Sequence, residues 1–264
     1  MVSSDEEKRL DQQMLDKLHS ALTADREELF QIILSTDPDI LRTVLKNKNL
    51  HEDHLLTLLK RRDLSEELIK SVYHYEQNNT SRKIKIALVK NPNTPGSVVL
   101  SLLPHLYLFE LINVCFLPGV TPDQKLAAER TIIQRLPQIE LGNKITLARR
   151  ATADVVAAIL KQGEPRAIDA CLTNPRLREI AIIQFLNSAA PGAETISAVA
   201  RHSKWHGRPN IRLAILKNRK TPPIWFTLFL PKLRTEELRR LLAGKRLNPN
   251  QKKQVQLEIR KRNL

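Results

Sequence analysis

Glycine, cysteine and aromatic residues are scarce in this chain, and each scarcity removes a class of protein. Seven glycines in 264 residues, with few β-branched or aromatic runs, leave little material for strands, and no Walker loop or dinucleotide fingerprint is present. Only two cysteines occur, Cys115 and Cys171. Each stands alone in an apolar run without CxxC spacing, so both read as small core residues rather than a disulfide or metal site. No apolar run approaches the length of about 18 residues that a membrane span needs. The first residues, Met1-Val2-Ser3-Ser4-Asp5-Glu6-Glu7, are acidic where a secretory signal carries positive charge. A cytoplasmic protein without membrane insertion is expected.

What is abundant is helical. Leu, Ile, Ala, Lys, Arg and Glu dominate, and 42% apolar composition is ample for a continuous core. Displacing the sequence by 127 residues lays it on itself. Ile84-Lys85-Ile86-Ala87-Leu88-Val89-Lys90-Asn91-Pro92-Asn93-Thr94-Pro95 then meets Ile211-Arg212-Leu213-Ala214-Ile215-Leu216-Lys217-Asn218-Arg219-Lys220-Thr221-Pro222, six of twelve positions being identical. Pro104 meets Pro231, Glu110-Leu111 meets Glu237-Leu238, and Pro122 meets Pro249; upstream, Leu45, Asn47 and Leu50 meet Leu172, Asn174 and Leu177. Shared Asn, Thr and Pro at fixed offsets indicate an internal duplication. Within each copy the turn asparagines recur at 44 residues, Asn47 to Asn91 and Asn174 to Asn218, a repeat of the length of HEAT or armadillo helical hairpins.

Helix starts are read at Thr94-Pro95, Thr121-Pro122, Thr221-Pro222 and Asn248-Pro249, each pairing an N-cap side chain with Pro at the first helical position. Ser4-x-x-Glu7 and Thr121-x-x-Gln124 have capping-box spacing. Between them, Val98, Leu102 and Leu106, or Leu126, Ile132, Ile133 and Leu136, keep amphipathic spacing. The expected architecture is all-α: a HEAT-like α-solenoid of about six helical hairpins, with an acidic capping helix over residues 1–20, a first three-repeat copy over 21–147 and a second over 148–264.

The turn Leu88-Val89-Lys90-Asn91-Pro92-Asn93-Thr94-Pro95 resembles that of bacterial HEAT-like and leucine-rich-repeat-variant proteins. The resemblance covers nearly the whole chain and implies a hairpin repeat rather than an activity. Some leucine-rich-repeat-variant proteins carry an iron-sulfur cluster on an N-terminal cysteine group; this chain has no such cysteines, and no cofactor is carried over. A looser similarity is to HEAT-like alkylpurine DNA glycosylases, basic solenoids of this size.

Charge is distributed unevenly. The formal net charge is +15, yet residues 201–264 hold 18 Lys or Arg against Glu236, Glu237 and Glu258, while residues 1–200 hold 25 of each sign. No carboxylate occurs between Glu194 and Glu236, a span that forgoes the i,i+4 pairing of an ordinary solvated helix. The expected polyanion-binding residues are Arg201, Lys204, Arg208, Arg212, Lys217, Arg219, Lys220, Arg239, Arg240, Lys245, Arg246, Lys252 and Lys253. The turn from Lys217 to Thr221 is expected to present three cations at the N-terminus of the next helix, where free N–H groups favour an anion. Capping of the last repeat by polar residues is the plainer explanation. The acids of residues 1–30 are read as a solubilising cap or as a segment that folds onto the basic end.

Of the two tryptophans, Trp225 reads as core; Trp205, flanked by Lys204, His206 and Arg208, reads as either core or a stacking platform for a base. A glycosylase would need a carboxylate from Asp154 or Asp169. His202 with His206, and His51 with His54, have the spacing of metal ligands but no completing Cys, Asp or Glu; no metal is expected. The reading is a non-catalytic solenoid binding nucleic acid, DNA or RNA, through phosphate contacts. The alternatives are a scaffold for an acidic protein partner and a glycosylase or its inactive relative.

Overall fold

The structure is a computed structural model that describes residues 4–77, 81–244 and 246–262, with side chains from residue 12 onward except residue 77. Among the described residues it is all-α: 18 α-helices, three short 3₁₀ segments and no strand. The chain forms two compact units divided between Thr131 and Ile132.

The first unit contains α1 (Ser4–Thr23), α2 (Arg26–Ile32), α3 (Pro38–Val44), α4 (Glu52–Leu58), α5 (Glu66–Gln77), α6 (Arg82–Lys90), α7 (Gly96–Leu102) and α8 (Leu108–Val114), and α9 (Pro122–Arg135) crosses the division. The second contains α10 (Leu141–Arg150), α11 (Ala153–Lys161), α12 (Pro165–Thr173), α13 (Glu179–Asn187), α14 (Ala193–Arg201), α15 (Pro209–Lys217), α16 (Pro223–Phe229), α17 (Thr235–Ala243) and α18 (Pro249–Lys261). Within each unit, helices pack on their successors and on the helix after that, as α4 does on α6, α6 on α8, α13 on α15 and α15 on α17. The 127-residue offset appears in the helix register: α2 to α9 begin 127 residues before α11 to α18, helix by helix.

The turn asparagines explain why this register repeats. A helix end leaves up to four carbonyls without partners, and a buried one must find a donor. Asn47 Nδ2 donates to the carbonyls of Ala21 (3.0 Å) and Ala24 (3.1 Å); Asn174 Nδ2 donates to Ala148 (2.6 Å) and Ala151 (3.2 Å), the residues 127 positions later. Asn91 Nδ2 satisfies Leu59 and Arg61, and Asn218 Nδ2 satisfies Leu186. Each Asn oxygen also accepts a backbone N–H two residues on, closing the turn.

Two of the four expected Thr or Asn caps form. Thr121 accepts from Gln124 N, and Asn248 from Gln251 N, each with the reciprocal bond of a capping box. Thr94 and Thr221 do something else: their hydroxyls donate backwards to the carbonyls of Leu88 and Ile215, and α7 and α16 begin after Pro95 and Pro222. Their buried hydroxyls find the C-terminal carbonyls of the preceding helix closer than the N–H groups of the next. The Ser4-x-x-Glu7 box lies outside the described side chains. Val98, Leu102 and Leu106 are buried as the spacing predicts, but Leu126 is exposed; Ala128 and Ile132 supply the apolar face of α9 instead. Both cysteines are buried, and burial pushes Cys115 up to about 11 and Cys171 up to about 12, so neither is a nucleophile at neutral pH.

Candidate polyanion-binding surface

The turn after α15 is held from three sides. Asn218 is tied to Leu186 by its amide (2.7 Å). Gln251, in the first turn of α18, donates towards the carbonyls of Arg219 (3.1 Å) and Asn218 (3.3 Å). Arg219 Nε donates to the carbonyl of Arg246 (2.8 Å). These bonds bring the ends of α13, α15 and α17 and the start of α18 to one edge of the unit.

At that edge lies a cleft of about 560 Å³ lined by Lys217, Arg240 and Arg246 with Asn187, Leu241, Gly244 and Leu247. Its lining contains no carboxylate. Arg246 is aimed by Asn187, whose Oδ1 accepts from Nη1 at 2.9 Å. Arg240 has only a loose contact with Glu236, 3.9 Å between two highly exposed side chains, which leaves its charge essentially available. Lys252 and Lys253 follow Gln251 in the first turn of α18 and so join the same edge.

The expected cations do not form one surface. Arg201, Lys204, Arg208 and Arg212 cluster at the opposite end of α15, whose nine residues separate the two groups by about 13 Å along the axis. Arg208 is matched by Glu179 at 2.6 Å, and Arg212 Nε donates to the carbonyl of His206 at 2.8 Å. Arg239 is exposed on α17. Lys245 lies outside the described residues.

The α16 N-terminus is not the anion site that the charge pattern suggests. α16 has only seven residues, and Pro222 and Pro223 occupy its cap and first position, removing two N–H donors. The three cations turn elsewhere: Lys217 into the cleft, Arg219 to Arg246, and Lys220 Nζ to the carbonyl of Ala189 at 3.0 Å.

Trp205 offers no face to a base. It is 2% exposed, its indole N–H donates to the carbonyl of Leu172 (2.9 Å), and Lys204 and Arg208 lie over its ring at 4.5 and 5.2 Å from the centroid. Cations beside a tryptophan in sequence are here its cover. Trp225 is likewise core, its N–H donating to Ser197 Oγ.

Asp169 belongs to a separate cleft of about 240 Å³ on α12 and α14, with Glu194, Arg201 and His202, and Asp154 is exposed in the first turn of α11. Burial pulls the His202 imidazole below its ordinary value, Asp169 opposing and Lys204 assisting. His202 Nδ1 accepts from Lys204 N, and His206 Nδ1 turns back to the His202 carbonyl. His54 is buried, with Nδ1 accepting from His51 N and Nε2 donating to the carbonyl of Arg26. Among the described residues, no three His, Cys, Asp or Glu side chains gather in a metal-binding group, and no helix is long and apolar enough to cross a membrane.

Sequence reading passes over two positioning residues. Gln251 carries a signal, the Asn248-x-x-Gln251 box spacing; Asn187 carries none, because only the packing of α13 against α15 and α17 brings it to Arg246. No family model, curated protein or solved structure matches the chain.

Proposed function

We propose that this protein is a HEAT-like α-solenoid scaffold, built by internal duplication, whose second unit binds nucleic acid through the sugar-phosphate backbone. The recurrence of helix starts at 127 residues, the matched asparagine bonds and the packing of each helix on its next two neighbours support the solenoid reading. The observation that carries the function is the acid-free cleft of Lys217, Arg240 and Arg246, flanked by Lys252 and Lys253. Side chains that face no internal carboxylate complete their ionic partnerships outside the molecule, and phosphates spaced along a strand fit such a row.

Direct base readout has no support: the aromatic ring nearest these cations in sequence is buried, and phosphate contacts position a protein without reading bases. The reading therefore includes weak sequence preference and no catalytic step. Fluorescence-anisotropy titration with labelled duplex DNA and single-stranded RNA at several salt concentrations tests it. Micromolar or tighter binding with a log-log salt slope of several units is expected; absence of binding at low salt would falsify it.

A further inference from the structure

The first unit carries a groove at the position equivalent to the cationic cleft of the second. It has a volume of about 850 Å³ and runs across α4, α6 and the turn between α8 and α9. Its lining pairs Lys90 with Lys217, and Gly119 with Arg246, at the 127-residue offset. The remaining chemistry differs. Lys60 and Arg62 bring cations from the α4 side, where the second copy has Asn187 and Ala189, and half-buried Leu56, Ile86 and Leu117 form an apolar floor where Gly244 replaces Leu117.

No carboxylate lines this groove either. Lys83 at its rim is matched by Glu52 at 2.9 Å. Lys90 also borders a smaller neighbouring pocket with Glu110, but that carboxylate is engaged by Arg82. Among the described residues, Lys60 and Arg62 have no ion-pair partner.

We propose that this groove docks a short acidic segment of a partner protein, one that interleaves carboxylates with apolar side chains. Cations on the rim call for anions, and half-exposed leucine and isoleucine call for hydrocarbon; only a ligand with both satisfies the lining. A nucleic-acid strand supplies the charge but would leave the floor uncovered, and the lining contains no aromatic ring for its bases to stack on. An acidic amphipathic segment covers the floor and neutralises the rim in one docking event.

The test uses the full chain and a short fluorescein-labelled peptide alternating Glu and Leu, with a second peptide of the same charge carrying Ser in place of Leu. The Glu/Leu peptide binds, and the Ser peptide binds at least roughly ten-fold more weakly. Lys60→Glu with Arg62→Glu weakens the Glu/Leu peptide by roughly ten-fold or more and leaves single-stranded RNA binding unchanged. Lys217→Glu with Arg246→Glu leaves the peptide unchanged. All four substituted side chains reach solvent at least in part, and unchanged helical circular dichroism verifies folding.

Equal binding of the two peptides would overturn the role of the apolar floor. Loss of RNA binding in the Lys60→Glu, Arg62→Glu variant would make the groove a nucleic-acid site instead. Self-association abolished by that variant would place a second copy of this chain there, and would equally overturn the proposal.

Discussion

Beyond α6, the Nδ2 of Asn93 donates to the carbonyls of Arg62 (2.7 Å) and Leu64 (3.0 Å). At the corresponding turn beyond α15, Lys220 does the same service with an ammonium, reaching Ala189, the equivalent of Arg62. One backbone requirement, a donor for a loop carbonyl, is met by an amide in the first copy and by a cation in the second. Arg219, Arg212 and Arg262 repeat the device, donating to the carbonyls of Arg246, of His206, and of Leu230 and Leu233 respectively. Part of the C-terminal charge excess is therefore structural. What remains for a partner is the smaller set in and beside the cleft, Lys217, Arg240, Arg246, Lys252 and Lys253.

The same comparison sets the expected effects of substitution. Asn91 satisfies two carbonyls and Asn218 one, while Gln251 also braces the second turn. Asn91→Ala should cost about 3 kcal/mol and Asn218→Ala about 1.5 kcal/mol, at a loss of about 1–3 kcal/mol per orphaned buried polar group. Urea unfolding of the two variants measures both; equal losses would mean that the two turns do not depend on their asparagines in this way.

Two glycines make a second pair. Gly163 has φ +71° and a hypothetical Cβ would lie 3.0 Å from the carbonyl oxygen of Ala190, whereas Gly119, at φ +83°, faces open space. Gly119→Ala carries only the left-handed backbone penalty, about 1 kcal/mol, and Gly163→Ala should lose about 2 kcal/mol because it adds a backbone clash. Thermal melts of the two variants separate these contributions.

Glu76 has no counterpart, since Ser203 stands at its place in the second copy. It is buried, and burial raises its carboxyl above the ordinary value, with Lys85 opposing. A carboxyl raised in the folded state holds its proton more tightly there than in the unfolded chain. Its contribution is most favourable below the unfolded pKa of about 4.3 and is lost as pH rises through the folded value. Glu76→Gln should therefore stabilise the protein at neutral pH and give a smaller difference from the parent near pH 4. Denaturant midpoints at the two pH values check the sign.

The smallest effect is expected from Arg208→Ala. Its charge is already matched by Glu179, so RNA affinity should hardly change, in contrast to loss of Lys217; an equal loss would extend the binding surface to the other end of α15.

The helical class and the 127-residue register were legible because carbonyl-capping asparagines and prolines leave fixed marks along the chain. Asn47 and Asn174 could be paired by inspection, and their bonds proved equivalent to the residue. The placement of charge was less legible. Counting acids and bases along the sequence puts the basic surface at the C-terminal end and overlooks Lys60, Arg62 and Lys90, which are about thirty residues apart in sequence and meet only because α4 packs on α6. It also groups Lys217 with Arg208, which α15 holds at opposite ends. Trp205 misled in the same way, since neighbours in sequence suggest exposure while its indole reaches a carbonyl on α12, 33 residues earlier.

The most direct test of the central claim is the salt dependence of single-stranded RNA binding for the parent protein, for Lys217→Glu with Arg246→Glu, and for Lys60→Glu with Arg62→Glu. If the two copies have divided their tasks, the first variant loses affinity and its log-log salt slope falls by about 1–2 units, while the second keeps both. Equal losses in the two variants, or none in either, would contradict the account.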